Sequence, residues 1–177
     1  TIAHEYIHLV VSFRSEDRTP VWLQEGLAKL LEGRWRGLNV TPLTVHQKSL
    51  LSQAVENDSY VPFEKFKHSM AYLDSGDEAA LAFAQVATLV EHVLNQSSDA
   101  ALVGIMDRIR DGESPQLVVA QAGGYSDFDE LIAGWKAWLK TRPLKGTEVA
   151  TSPMKKARNK VGSCSRSQCN GVARART

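Results

Sequence analysis

Residues 1–10 read TIAHEYIHLV, and within them His4, Glu5 and His8 form the pattern H-E-x-x-H. On an α-helix, residues four apart project from one face about one turn apart. His4 and His8 can therefore aim ring nitrogens at a single point, and bonds of about 2.0–2.1 Å to zinc suit that geometry. Glu5 comes one position after His4, so its carboxylate falls beside such an ion and not on it. There it can take a proton from a water whose pKa zinc lowers to about 7. The spacing predicts a metal-binding helix with His4 and His8 as ligands and Glu5 as general base.

Two imidazoles leave zinc short of a third protein ligand. After His8 the chain continues LVVSF, which lacks the HExxHxxGxxH pattern and excludes a metzincin. The polar stretch RSEDRTP, ending in Pro20, reads as a loop. Beyond it VWLQEGLAKLLEG has Val21, Leu23, Leu27, Leu30 and Leu31 at helical spacing, with Gly33 as the expected stop. Glu25 lies on this helix, with sixteen residues between it and His8. Antiparallel packing across the short loop would bring its carboxylate to the open side of the His pair, and His2Glu plus water is a recognised catalytic zinc shell. A glutamate on a helix face is otherwise ordinary solvated surface.

The flanking residues bear on that choice. WLQEGLA (22–28) resembles the W-L-x-E-G-[FL]-A segment of the gluzincins, in particular the aminopeptidase N family and the smaller bacterial peptidases of the peptidase MA-like group. LAFAQVATLVEHVL (81–94) is similar to that group's A-Y-A-Q-S-x-x-[FL]-V helix, and residues 102–139 resemble its closing helices. The resemblance spans roughly residues 1–139 and implies the helical catalytic subdomain of a thermolysin-like zincin. It implies one zinc ion, Glu25 as third ligand, and a peptide or protein substrate. The interval from His8 to Glu25 is shorter than in aminopeptidase N, a difference that falls in the loop. In relatives, strands that edge the substrate cleft precede the H-E-x-x-H helix. This chain opens at Thr1, inside the motif, so we expect a fragment lacking that upstream β-sheet part.

One position departs from the pattern. In the resembled peptidases the tyrosine of the third motif donates a hydrogen bond to the oxyanion, and this chain has Phe83 there. Loss of one such donor typically costs about 10²–10³ in rate. Tyr60, Tyr72, His68 and His92 are candidate substitutes, each read first as a packing or surface residue. Two function classes follow: a zinc metallopeptidase, and a catalytically silent zinc- or peptide-binding module derived from one. A plain helical structural domain with a chance H-E-x-x-H is the third.

The remaining sequence agrees with a helical body. At 177 residues and 43% hydrophobic composition the chain can bury one good core, and no run approaches the ~18 apolar residues of a membrane span. Helices are expected over 2–13, over 41–57 with Thr41 as N-cap and Pro42 at the first position, and over 77–96. Three more are expected from Ser98 to Gly112, from Ser114 to the Gly123-Gly124 stop, and over 126–140, where Glu130 completes a capping box on Asp127. A short helical turn is expected around FEKFKH. Capping accounts for the Asp127, Asp129 and Glu130 cluster without a metal. Trp135 and Trp138 read as core anchors.

Charge divides the chain. From Lys140 onward there are ten Lys/Arg against one acid, leaving eleven against nineteen in the first 139 residues. Residues 1–140 are expected to form the zincin-type subdomain and 141–177 a basic, solvated tail. That tail has no aromatic interleaving, so no nucleic-acid role is expected. Cys164 and Cys169 both lie in it, without the spacing of a zinc knuckle. No leader peptide stands at the start of the chain. One upstream of Thr1 would make the protein periplasmic or secreted, and compartment otherwise stays open.

Overall fold

The computed structural model describes residues 1–34, 37, 41–66 and 69–144. These hold seven α-helices: α1 (Ile2–Ser15), α2 (Val21–Leu31), α3 (Val45–Asn57), α4 (Gly76–Gln96), α5 (Asp99–Arg110), α6 (Pro115–Ala122) and α7 (Phe128–Lys140). The turn expected around FEKFKH is the 3-10 turn Phe63–Phe66, followed by a second at Met70–Tyr72. The described residues contain no strand, so the mainly helical architecture is as expected.

α4 is the axis of the body. Nothing in its 21 residues breaks a helix, and Ser75 caps it by accepting from the Glu78 amide at 3.1 Å, with Asp77 and Glu78 favouring the positive end. From Ala84 to Leu94 every residue is buried, because α2, α3, α6 and α7 all pack against this one helix. Most polar groups taken inside are partnered, as burial requires; the exception on this helix is His92 Nδ1. Gln85 brackets Val61, accepting from its amide at 2.8 Å and donating to its carbonyl at 3.1 Å. Thr88 accepts from the Trp135 indole N–H at 3.2 Å. Glu91 pairs with Arg142 at 2.8 Å and accepts from the Thr41 amide at 3.2 Å.

α2 approaches α4 closely at Gly26. A Cβ added at Gly26 would lie 2.7 Å from Val90 Cγ2 and 2.8 Å from the Val86 carbonyl oxygen. Only glycine lets α2 come that near, and the contact fixes the height of Glu25 beside it.

Local details correct several expectations. α3 starts at Val45, not at Thr41-Pro42: Thr44 and Gln47 form a reciprocal capping box, while Thr41 is drawn inside by Glu91 and by the Ala87 carbonyl, to which its hydroxyl donates at 3.4 Å. α2 ends at Leu31 with Glu32 as its C-cap, so Gly33 stands just past the cap, where a stop is expected. On α7, Asp127 accepts from the Glu130 amide, but Glu130 reaches back to Ser126 N–H (2.7 Å), so the box is displaced by one residue. Trp135 is fully buried, whereas Trp138 is half-buried between His92 and Arg142.

α1 packs mainly on α2 and α5. Its ends are closed by Thr1, whose hydroxyl accepts from the His4 amide, and by Glu16 in the left-handed region at φ 51°. Ile2, Tyr6, Leu9 and Phe13 lie on its exposed side, opposite His4 and His8 by helical spacing. No helix among the described residues is long and apolar enough to cross a membrane. The described residues end at Leu144, which is buried; Cys164, Cys169 and nearly all of the expected tail fall outside them.

Candidate metal centre

The i, i+4 spacing on α1 sets His4 and His8 one turn apart, rings edge to face with centroids 4.8 Å apart. Their Nε2 atoms face each other at 3.1 Å. α2, returning after the loop at 16–20, presents Glu25 to the same point. Its Oε2 lies 3.4 Å from His4 Nε2 and 3.6 Å from His8 Nε2. Among the described residues, these three form the one group of His, Cys, Asp or Glu side chains compact enough to hold a metal ion. All three are partly buried, with side-chain exposures of 18%, 23% and 22%, open enough for an ion and a water to reach them.

The donor set fits zinc on two counts. Chemically it is two imidazoles and one carboxylate, the composition of a catalytic shell with a position left over. Geometrically, tetrahedral bonds of about 2.0–2.1 Å put neighbouring ligand atoms about 3.3–3.4 Å apart. The three observed edges, 3.1, 3.4 and 3.6 Å, straddle that value.

Glu5 is exposed in the first turn of α1. Phe83, on α4, is half-buried and packs against the core, a ring with no donor. Of the candidate substitutes, Tyr72 is 85% exposed, and His68 lies outside the described residues. Tyr60 stacks on Trp135 with Lys136 over its ring, and burial, aided by Asp58, pushes its hydroxyl pKa up. His92 is buried against Trp138, with Nε2 2.8 Å from the Tyr125 hydroxyl. Its Nδ1 has no hydrogen-bond partner among the described residues, and burial pushes its pKa down. Tyr60 and His92 are thus engaged in packing.

Sequence reasoning missed Glu32, the C-cap of α2. Its Oε2 lies 3.4 Å from His4 Nδ1 and accepts from the Thr1 hydroxyl at 3.3 Å, while Oε1 pairs with Lys29 at 2.6 Å. Burial pushes the Glu32 carboxyl up, but the Lys29 hydrogen bond and charge, with His4 and Thr1 adding to them, hold it below the ordinary glutamate value. The available signal was its spacing. Seven residues, two helical turns, separate Glu25 from Glu32, so the two carboxylates share a face of α2.

No curated protein and no solved structure matches the chain. A family model does, that of the peptidase MA superfamily, a group generally associated with zinc, and it runs over residues 1–141. That match spans α1 to α7 and includes the His4, His8 and Glu25 cluster. The chain belongs to the peptidase MA superfamily.

Proposed function

We propose that the chain carries the catalytic centre of a zinc-dependent peptidase, with His4, His8 and Glu25 holding one zinc ion and Glu5 as general base. The observation that carries this reading is the near-equilateral triangle of His4 Nε2, His8 Nε2 and Glu25 Oε2, with edges of 3.1, 3.4 and 3.6 Å. When bound, zinc supplies Lewis acidity, polarising a substrate carbonyl and lowering the pKa of a water to about 7.

The remaining steps fall to the chain's own residues. His4 and His8 must be neutral at Nε2 to act as ligands, so acid pH opposes loading. Glu5 accepts a proton from the attacking water as the water oxygen bonds to the carbonyl carbon. It then hands that proton to the amine nitrogen as the C–N bond breaks. The atoms of water end divided between the new carboxylate and the new amine. The substrate is a peptide or protein, with no nucleic-acid role for the basic C-terminal residues.

One observation favours a second reading, a zinc- or peptide-binding module without turnover. Phe83 offers no hydrogen-bond donor, and restoring one is worth about 10²–10³ in rate where it stabilises the oxyanion. Phe83→Tyr separates the two: a gain in hydrolysis marks a site weakened at that position. The primary test is zinc per chain by elemental analysis of the wild type and of Glu25→Ala. One zinc in the wild type and little in the variant is expected. None in either overturns the metal centre.

A further inference from the structure

His92 takes no part in the metal triangle, yet it is the one imidazole among the described residues that is shut away from water, at 3% exposed. Its cover comes from the far end of the chain. The turn after α6, with Gly124 at φ 82° and the Tyr125 amide donating to the Ala120 carbonyl at 2.9 Å, sends Tyr125 back onto α4. There its hydroxyl meets His92 Nε2 at 2.8 Å. The reach depends on glycine in α7 as well, because a Cβ at Gly134 would overlap that hydroxyl. Trp138 lies against the imidazole with ring centroids 5.1 Å apart. Arg142 stands over Trp138 and pairs with Glu91, the neighbour of His92 on α4, at 2.8 Å. Tyr125, Trp138 and Arg142 thus make one cover, fastened to α4 through His92 and Glu91.

The cover suits a neutral ring and no other. A hydroxyl can donate to Nε2 or accept from it, so either neutral tautomer keeps the Tyr125 bond. A protonated ring carries N–H on both nitrogens, and Nδ1 has no partner among the described residues. A buried charged donor without an acceptor costs far more than a bare lone pair. Burial accordingly pushes the His92 pKa down. No carboxylate stands ready to offset the charge. Glu91 is engaged by Arg142 and the Thr41 amide, and α6 carries no titratable side chain. The α7 lysines, Lys136 and Lys140, act on Asp58 at the end of α3. On α2, Lys29 and Glu32 pair with each other, while Glu25 faces His4 and His8. α3 meets the core through Leu51 and Ala54, and Tyr72 of the Met70–Tyr72 turn is exposed. The one remedy for a charged ring is water, and water reaches it when the cover lifts.

We infer that the His92–Tyr125 contact is an acid-sensitive latch: protonation of His92 releases α7 and the Gly124–Tyr125 turn from α4 while the rest of the body stays folded. The latch stands independently of the metal-centre reading. α7 is the element free to go, since α4 is also held by α2, α3 and α6. An open state that titrates near the ordinary histidine value of about 6.5, against a closed state that stays neutral, makes opening up to about 25-fold more favourable at pH 5 than at pH 7.

The test is amide exchange of the full chain at pH 7 and pH 5, with chelator present so that metal loading does not vary. Protection factors remove the intrinsic pH dependence of exchange. In the wild type, protection of α7 and the Tyr125 turn is expected to fall by up to about 25-fold more than that of the centre of α4. His92→Gln should lose this extra fall. Tyr125→Phe, which leaves a ring in place and removes the hydroxyl, should start about 2–10-fold less protected in α7 at pH 7, the worth of one hydrogen bond. Equal falls in α7 of the wild type and of His92→Gln overturn the latch, and so do equal falls in α7 and α4. An NMR titration of the His92 ring in the wild type serves if a variant fails to fold. A ring that gains its proton at the ordinary histidine value while α7 keeps its protection also overturns the inference.

Discussion

Gly26→Ala tests whether the seat of α2 on α4 governs the site. In the structure an alanine Cβ would sit 2.7 Å from Val90 Cγ2, 2.8 Å from the Val86 carbonyl oxygen and 3.2 Å from the Val86 carbonyl carbon. The valine methyl can turn away, but the carbonyl belongs to the backbone of the most buried helix and has nowhere to go. Relief therefore requires α2 to lift by several tenths of an ångström. Overpacking of this kind costs about 1–3 kcal/mol, against a gain of about 0.8–1.0 kcal/mol from replacing a mid-helix glycine with alanine. Because the obstacle is backbone, the clash should win, leaving a net loss of up to about 2 kcal/mol, or a fall in Tm of up to roughly 8 °C at this chain length. Glu25 is the adjacent residue, so the same displacement stretches two of the three edges and should weaken Zn2+ binding by on the order of tenfold, like loss of an outer-shell partner. The control is Gly104→Ala on α5, where an added Cβ meets nothing within 4 Å; it should be neutral or stabilising by up to about 1 kcal/mol. Thermal unfolding and chelator competition read both effects. A Gly26→Ala protein as stable as Gly104→Ala, with unchanged Zn2+ affinity, would refute the claim that this contact sets the height of Glu25.

Two further outcomes are expected. Glu5→Gln should keep its zinc by elemental analysis yet hydrolyse peptides about 10²–10⁴-fold more slowly, the usual contribution of a general base; retained hydrolysis would move the base elsewhere. His92 is held neutral by burial, so its folded pKa lies below the ordinary histidine value. Its contribution is then fully present above about pH 6.5 and is lost as pH falls toward the lower folded value, because the unfolded chain binds the extra proton first. Urea unfolding of the metal-free protein between pH 7 and 5 should show this decline, and His92→Gln should flatten it.

How much of this was legible in the sequence depends on how far each partner lies along the chain. His4 and His8 are four residues apart on one helix, so their convergence follows from helical geometry alone. Glu25 needed the WLQEGLA stretch as well, since nothing local says that α2 folds back onto α1. Glu32 escaped notice because its partner is the outer nitrogen of a histidine 28 residues away, and a glutamate next to a lysine at the end of a helix reads as an ordinary surface pair. The start of α3 was misread for a similar reason. Thr41-Pro42 and Thr44-Val-His-Gln47 both look like helix starts, and the choice is made by Glu91 and Ala87, far along the chain, which claim Thr41. Gly26 carried no sign of its purpose, because a close approach becomes visible only when the second helix is in place.

The same distinction bears on how metal and fold depend on each other. Two corners of the triangle are local to α1 and the third arrives on α2, so an ion bound there bridges two helices that meet only in the folded chain. Binding to that arrangement alone stabilises it by RT ln(1 + [Zn2+]/Kd), about 2.7 kcal/mol at a hundredfold excess over Kd. α1 stands to gain most. It packs mainly on α2 and α5, carries Ile2, Tyr6, Leu9 and Phe13 on its exposed side, and lacks the all-round burial that holds α4. Without zinc, amides of α1 and the start of α2 should exchange faster than those at the centre of α4, and zinc should slow both groups in the wild type and neither in Glu25→Ala, because every opening that breaks the triangle must shed the ion. Equal protection of α1 and α4 in the metal-free protein would mean that α1 opens only with global unfolding, so that the metal centre is as rigid without its ion as with it.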